Sequence, residues 1–129
     1  PGLIPHFFTI VKQHGALLAK GRILGIQFDA LFENDLYKHI GESAIAAADK
    51  IREGLKENGI ELYLDAPTNQ VFCVLDNAFM EKLAQKVEFS FWEKKDETHT
   101  VIRFATSWAT TMEDVDGLIK WIKQKKNRN

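Results

Sequence analysis

His99–Asp116 reads HTVIRFATSWATTMEDVD. It divides into a β-branched and aromatic run ending at Thr106, a short turn, and the capped start of a closing helix. Arg103 stands inside the strand, between Ile102 and Phe104. A strand that buries one or both faces has little use for a guanidinium unless an anion or a set of carbonyls meets it. Arginine cannot discharge by losing its proton. Working outward, Phe89–Trp92 forms the other arm of a hairpin across the exposed turn Lys94–Glu97. Gln70–Leu75 (QVFCVL) reads as a buried strand, and Ile60, Leu62 and Leu64 alternate as a short one ended by Pro67. Asp76 caps a helix through Phe79, Met80, Leu83 and Ala84. Thr110 and Glu113 have capping-box spacing, and Met112, Val115, Leu118, Ile119 and Ile122 give the last helix its inner face.

The N-terminal part is helical. Pro5 suits a first helical turn, Phe7 to Lys12 follow, and Gly15 breaks the run. A second helical pattern covers Ala16 to Phe32, where Gly21 and Gly25 leave a small-residue notch. From Asn34 or Asp35 a long helix runs to about Asn58, with Leu36, Ile40, Ala44, Ala47, Ile51 and Leu55 as its apolar stripe. Lys38, Glu42, Asp49, Arg52 and Glu53 form its solvent face, and Asn58-Gly59 stops it. The order helices, strand, strand, helix, strand, strand, helix predicts an α+β fold. Its sheet is mostly antiparallel, of about four strands, and covered by helices on one face. We expect residues 1–33 to be a helical passage and 34–129 a small α+β domain.

With 129 residues and a net charge of −1, the chain has an ordinary globular composition and no electrostatic footprint for nucleic acid or a membrane surface. No apolar run approaches the ~20 residues of a membrane-spanning helix. The basic ending KQKKNRN reads as a solvated helix terminus. The single cysteine, Cys73, rules out an internal disulfide, fits a reducing cytoplasm and reads as an inert core thiol. His6, His14, His39 and His99 have no metal-ligand spacing, and no metal is expected. Asp114 and Asp116 favour the dipole of the last helix. No catalytic motif and no phosphate-cradling glycine loop is present. Up to Gln27 the chain carries Lys12, Lys20 and Arg22 and no acidic residue. An anion-seeking arginine and a cationic segment without nucleophile or acid–base pair read as part of a site. The opening Pro1-Gly2, without an initiator methionine, leads us to expect a piece of a longer protein.

Three segments carry a family resemblance. The ending, through Arg103, Phe104, Ser107, Trp108, Thr110 or Thr111, Asp114, Val115 and Asp116, resembles the C-terminal region of the low-specificity L-threonine aldolases. These belong to the aromatic β-eliminating lyase and threonine aldolase group of type I pyridoxal-phosphate enzymes. Lys12, Gln13, Gly15, Leu18, Lys20 and Arg22 resemble the family's basic segment, although Ala16 and Ala19 stand where a second glycine and a serine are common. Asn69, Val71, Phe72 and Leu75 resemble a third motif. The resemblance runs from about Lys12 to Trp121. It implies the small C-terminal domain of an enzyme that cleaves threonine or a related β-hydroxy amino acid to glycine and an aldehyde. It also implies pyridoxal 5'-phosphate as cofactor and a homo-oligomer, dimer or tetramer, as the intact protein. Arg103 would receive the substrate's α-carboxylate. Lys12, Lys20 and Arg22 would approach the cofactor phosphate or the active site across a subunit interface. The lysine that holds the cofactor would precede Pro1, leaving this chain alone inactive. A β-eliminating lyase or an aminotransferase of the same fold uses a similar arginine, and a non-enzymatic interaction domain is the alternative from another class.

Overall fold

The computed structural model describes residues 2–126. They form two compact units, one reaching to His39 and the other beginning at Ile40. The first unit contains α1 (Phe7–Gln13), α2 (Gly21–Phe32), a 3₁₀ turn over Glu33–Asp35 and α3 (Leu36–His39). None of its described residues is buried, and Phe7, Phe8, Ile23, Phe28 and Phe32 are all exposed. Helix α2 starts at Gly21 and not at Ala16, because Gly15 takes φ +64° and the chain runs irregularly to Lys20. The long helix expected from residue 34 is also divided. Asn34 and Asp35 adopt positive φ, and Ile40-Gly41 forms a turn before α4 (Glu42–Glu57). Leu36 and Ile40 are therefore exposed and do not join the stripe of Ala44, Ala47, Ile51 and Leu55, which is buried.

The second unit is the predicted α+β fold. A four-stranded antiparallel sheet has the order β1-β2-β4-β3, with β1 Leu62–Leu64, β2 Gln70–Asp76, β3 Ser90–Lys94 and β4 His99–Ala105. The remaining helices are α5 (Asn77–Ala84) and α6 (Met112–Lys126). Period-two alternation divides the sheet's side chains. Val71, Cys73, Leu75, Ile102 and Phe104 enter one core with Ala47, Ala48, Ile51 and Leu55 of α4, Leu83 of α5, and Val115, Leu118 and Ile122 of α6. Phe72, Val74 and Val101 form a separate small cluster on the other face.

Polar contacts fix the ends of these elements. The Asp76 carboxylate accepts from Phe79 N at 3.0 Å, the expected cap of α5. The capping box of α6 lies one residue later than the sequence suggests. Thr111 N donates to Asp114 Oδ2 (3.2 Å) and Asp114 N to Thr111 Oγ1 (3.1 Å), while Thr110 Oγ1 accepts from Ser107 N within the preceding turn. Arg52, expected on the solvent face, is 5% exposed. Its guanidinium donates to Thr68 O (2.9 Å) and to Asp49 Oδ1 (2.5 Å), so the stem lies under the loop before β2 and the charge is matched.

Helices α4 and α6 approach at Gly54, where a Cβ would lie 2.5 Å from Ile119 Cγ1 and 2.6 Å from its Cδ1. We expect Gly54→Ala to destabilise the fold by about 1–3 kcal/mol through overpacking, despite the ~1 kcal/mol helix-propensity gain. Urea denaturation of the single and double variants with Ile119→Ala checks it: additive effects would deny the contact. In the β3–β4 turn, the Asp96 carboxylate accepts from the backbone N–H of Thr98 (2.7 Å) and His99 (2.8 Å). The Thr98 N–H first, then the His99 ring, hold its pKa well below the ordinary carboxylate value. A depressed folded pKa means stability that is complete above the unfolded value and lost as pH falls towards the folded one. Asp96→Ala should therefore flatten the acid limb of stability below pH ~4, seen in unfolding midpoints measured against pH; an unchanged limb would refute this.

Candidate functional site

The sheet face away from the helical core carries Arg103. In β4, Val101 and Arg103 point to this face, and Arg103 pairs with Phe72 of β2 on one side and Ser90 of β3 on the other. The face curls shut at one end. Lys95 Nζ of the β3–β4 turn bonds Glu61 Oε2, just before β1, at 2.6 Å. The Glu93 carboxylate beside Tyr63 raises the phenol's pKa. At the other end Arg103 is half-buried. Its Nη1 donates to Gln70 Oε1 (3.2 Å) and its Nη2 to Ser90 Oγ (3.3 Å). The guanidinium carbon lies 5.8 Å from the ring centroid of Trp92. Trp92 in turn packs edge-on against Phe72, centroids 4.9 Å apart. A register shift between Phe91 and Glu93 inserts Trp92 as a bulge, a device that re-aims a side chain.

All these partners are neutral, and among the described residues Arg103 has no carboxylate partner. Its Nε is buried without an acceptor. A guanidinium with five donors, two long bonds to neutral oxygens and one orphaned N–H keeps its charge available for a planar anion. The neighbouring indole and phenyl rings lower the local dielectric and strengthen that attraction. A cavity of about 580 Å³ lies on the helical side of the sheet, lined by Val87, Phe104, Leu118 and Trp121 among others; none of its lining residues is an arginine.

The other residues singled out in the sequence fall elsewhere. Lys12 is in the last turn of α1, Lys20 is the residue before α2, and Arg22 is within it. All three are exposed and belong to the unit ending at His39. Cys73 is fully buried on the helical face, and burial pushes its thiol up to about 12, which leaves it protonated and inert. Among the described residues no group of three His, Cys, Asp or Glu could hold a metal ion, and no helix is long and apolar enough to cross a membrane. Gln70, Ser90 and Trp92 were not foreseen. Gln70 could have been found by parity with Phe72, but Ser90 and Trp92 depend on the register and bulge of β3, for which the sequence carries no signal.

This arrangement defines an α+β sheet-and-helix unit with an anion-seeking arginine on its bare face. No family model and no curated protein matches the chain. Among solved structures, a threonine aldolase of Leishmania major is similar, with a TM-score of 0.83 and 30% identity; the match covers 95% of this chain and 36% of that one. The chain thus spans little more than a third of that protein's length.

If Arg103 serves a ligand and not the fold, its charge gives the empty protein nothing. We expect Arg103→Met to leave stability within about 1 kcal/mol or raise it, because an apolar chain of similar length replaces an unneutralised charge. Urea unfolding measures this; a loss above that range would assign Arg103 a structural role.

Proposed function

We propose that the chain is the small C-terminal domain, with its helical lead-in over residues 1–33, of a pyridoxal-phosphate-dependent aldehyde-lyase of the threonine aldolase type. The whole enzyme cleaves L-threonine or a related β-hydroxy amino acid to glycine and an aldehyde. The observation that carries the reading is Arg103, half-buried, charged and matched only by neutral groups. Arg103 receives the α-carboxylate through its planar fork and so fixes the amino acid's orientation. Phe72 and Trp92 keep water from one side of that contact. The similarity to the Leishmania major threonine aldolase supports the enzyme class, since it extends over nearly all of this chain.

The residues present fit such a cofactor-bearing enzyme in a divided way. Pyridoxal phosphate, when bound, supplies the electron sink that makes a Cα–Cβ bond breakable. This chain contributes the carboxylate receiver, and Lys12, Lys20 and Arg22 are the cations we assign to the phosphate or to the active site across a subunit boundary. Their exposure, in a segment without an acidic residue before Asp29, supports that assignment. We place the cofactor-holding lysine outside this chain, which by itself is then inactive. The apolar surface of α1 and α2 is in the same reading covered within the intact homo-oligomer, because bare apolar faces of this size mark interaction surfaces.

The test is steady-state kinetics of the enzyme that carries this chain. Arg103→Ala should cost about 2–4 kcal/mol of amino acid binding, a rise in KM of roughly 30- to 1000-fold, with the cofactor's absorbance retained. Loss of the cofactor with unchanged KM would overturn the assignment.

A further inference from the structure

The partners of Arg103 suggest what keeps its site ready. Charge-assisted N–H···O bonds run to about 2.7–2.9 Å; the Arg103 bonds, at 3.2 and 3.3 Å, are loose, and both acceptors are neutral. The amide nitrogen of Gln70 has no acceptor among the described residues. Its backbone, by contrast, is tightly held. Gln70 N donates to Thr68 Oγ1 (3.2 Å). The preceding residue, Asn69, is clasped to Thr106: Asn69 Nδ2 donates to Thr106 O (2.8 Å), and Thr106 N donates to Asn69 O (2.9 Å). A side chain on so fixed a backbone can direct a neighbour without itself being anchored.

We propose that Gln70 is a positioning residue for carboxylate binding: its amide oxygen holds Nη1 of Arg103 in place of a ligand oxygen and yields when the ligand arrives. This rests on the reading of Arg103 as the carboxylate receiver. The choice of residue is the point. A glutamine orients the guanidinium as a carboxylate would, through an oxygen of the same reach, yet leaves its charge intact. A glutamate would form an internal ion pair, stronger than the amide contact and competing with the ligand. Ser90 plays the same neutral role on Nη2, and the Trp92 ring limits the guanidinium's tilt. A site held open by neutral groups retains a full positive charge for one carboxylate.

The experiment compares Gln70→Glu, Gln70→Met and Arg103→Ala in the enzyme carrying this chain, reading KM for L-threonine, kcat, cofactor absorbance and thermal midpoint. Gln70→Glu should raise KM at least tenfold at neutral pH with kcat within about threefold, the cofactor retained and the midpoint unchanged or higher. Gln70→Met, which keeps the open charge but loses the orienting oxygen, should raise KM several-fold, less than Gln70→Glu. If Gln70→Glu leaves KM within twofold while Arg103→Ala raises it, Gln70 does not act on the site and the proposal fails, with the reading of Arg103 standing. If the midpoint, kcat and cofactor content all fall together in both Gln70 variants, the role is structural and the proposal likewise fails. If Arg103→Ala also leaves KM unchanged, the carboxylate reading fails and this proposal with it.

Discussion

The pairing of β2 with β4 is the constraint on which the second unit depends. Seven residues of each strand are matched, from Gln70 with Ala105 to Asp76 with His99. Side chains alternate faces, so a slip of β4 by one residue would carry Arg103 into the helical core and bring Ile102 and Phe104 out to the bare face. Part of what prevents the slip is polar. The Thr106 hydroxyl, buried at the end of β4, donates to Ala44 O at the start of α4 (2.7 Å) and lies 3.2 Å from Asn69 O. That hydroxyl joins both central strands to the first turn of the main helix. A buried donor left without its acceptors costs about 1–3 kcal/mol, so the clasp tolerates one register. The position of Arg103 opposite Phe72 follows from it.

Curvature then makes a site out of a face. The sheet's two edges meet at one end, through Lys95 and Glu61, and close over Phe72, Val74 and Val101. The bulge at Trp92 adds an aromatic wall at the other end. Closing the whole face would have buried the guanidinium without a counter-charge, which is prohibitive. Leaving it flat would have exposed the charge to water and weakened any anion contact by screening. A face closed at one end and open at the other places Arg103 between those limits, half-buried and beside the Trp92 ring.

Much of this was legible in the sequence where local chemistry decides structure. The four strands, the antiparallel hairpin and the one-sided helical cover followed from period-two runs and turn residues. The Asp76 cap and the Asn58-Gly59 stop followed from side-chain and backbone preferences, and Gly59 does take φ +64°. Arg103 stood out because a charge interrupted an apolar strand. What was not legible depends on tertiary context. The break at Ile40-Gly41 is hidden because a stripe of apolar residues continues in register across it. Arg52 reads as a solvent-face residue until the loop holding Thr68 folds over it. The box capping α6 could begin at Thr110 or Thr111, since either has an acid three residues on; the turn from Ser107 claims Thr110. Ser90 and Trp92 reach Arg103 only through a bulge.

The two arginines of this unit are provided for in opposite ways. Both are removed from water to some degree, and both lie on regular elements against packed side chains. Arg52 is provided for completely: a carboxylate from its own helix balances the charge, and a backbone carbonyl takes a second donor at normal distance. Had Arg103 been selected for stability, the same solution was at hand, because Glu for Gln70 or Asp for Ser90 would place a carboxylate where a neutral oxygen now stands. Neither carboxylate is present, and a buried N–H is without an acceptor as well. An unneutralised, under-bonded charge is a cost to the empty protein. Gln70 and Ser90 orient the Arg103 guanidinium without neutralising it, and that is the physical difference between the two arginines.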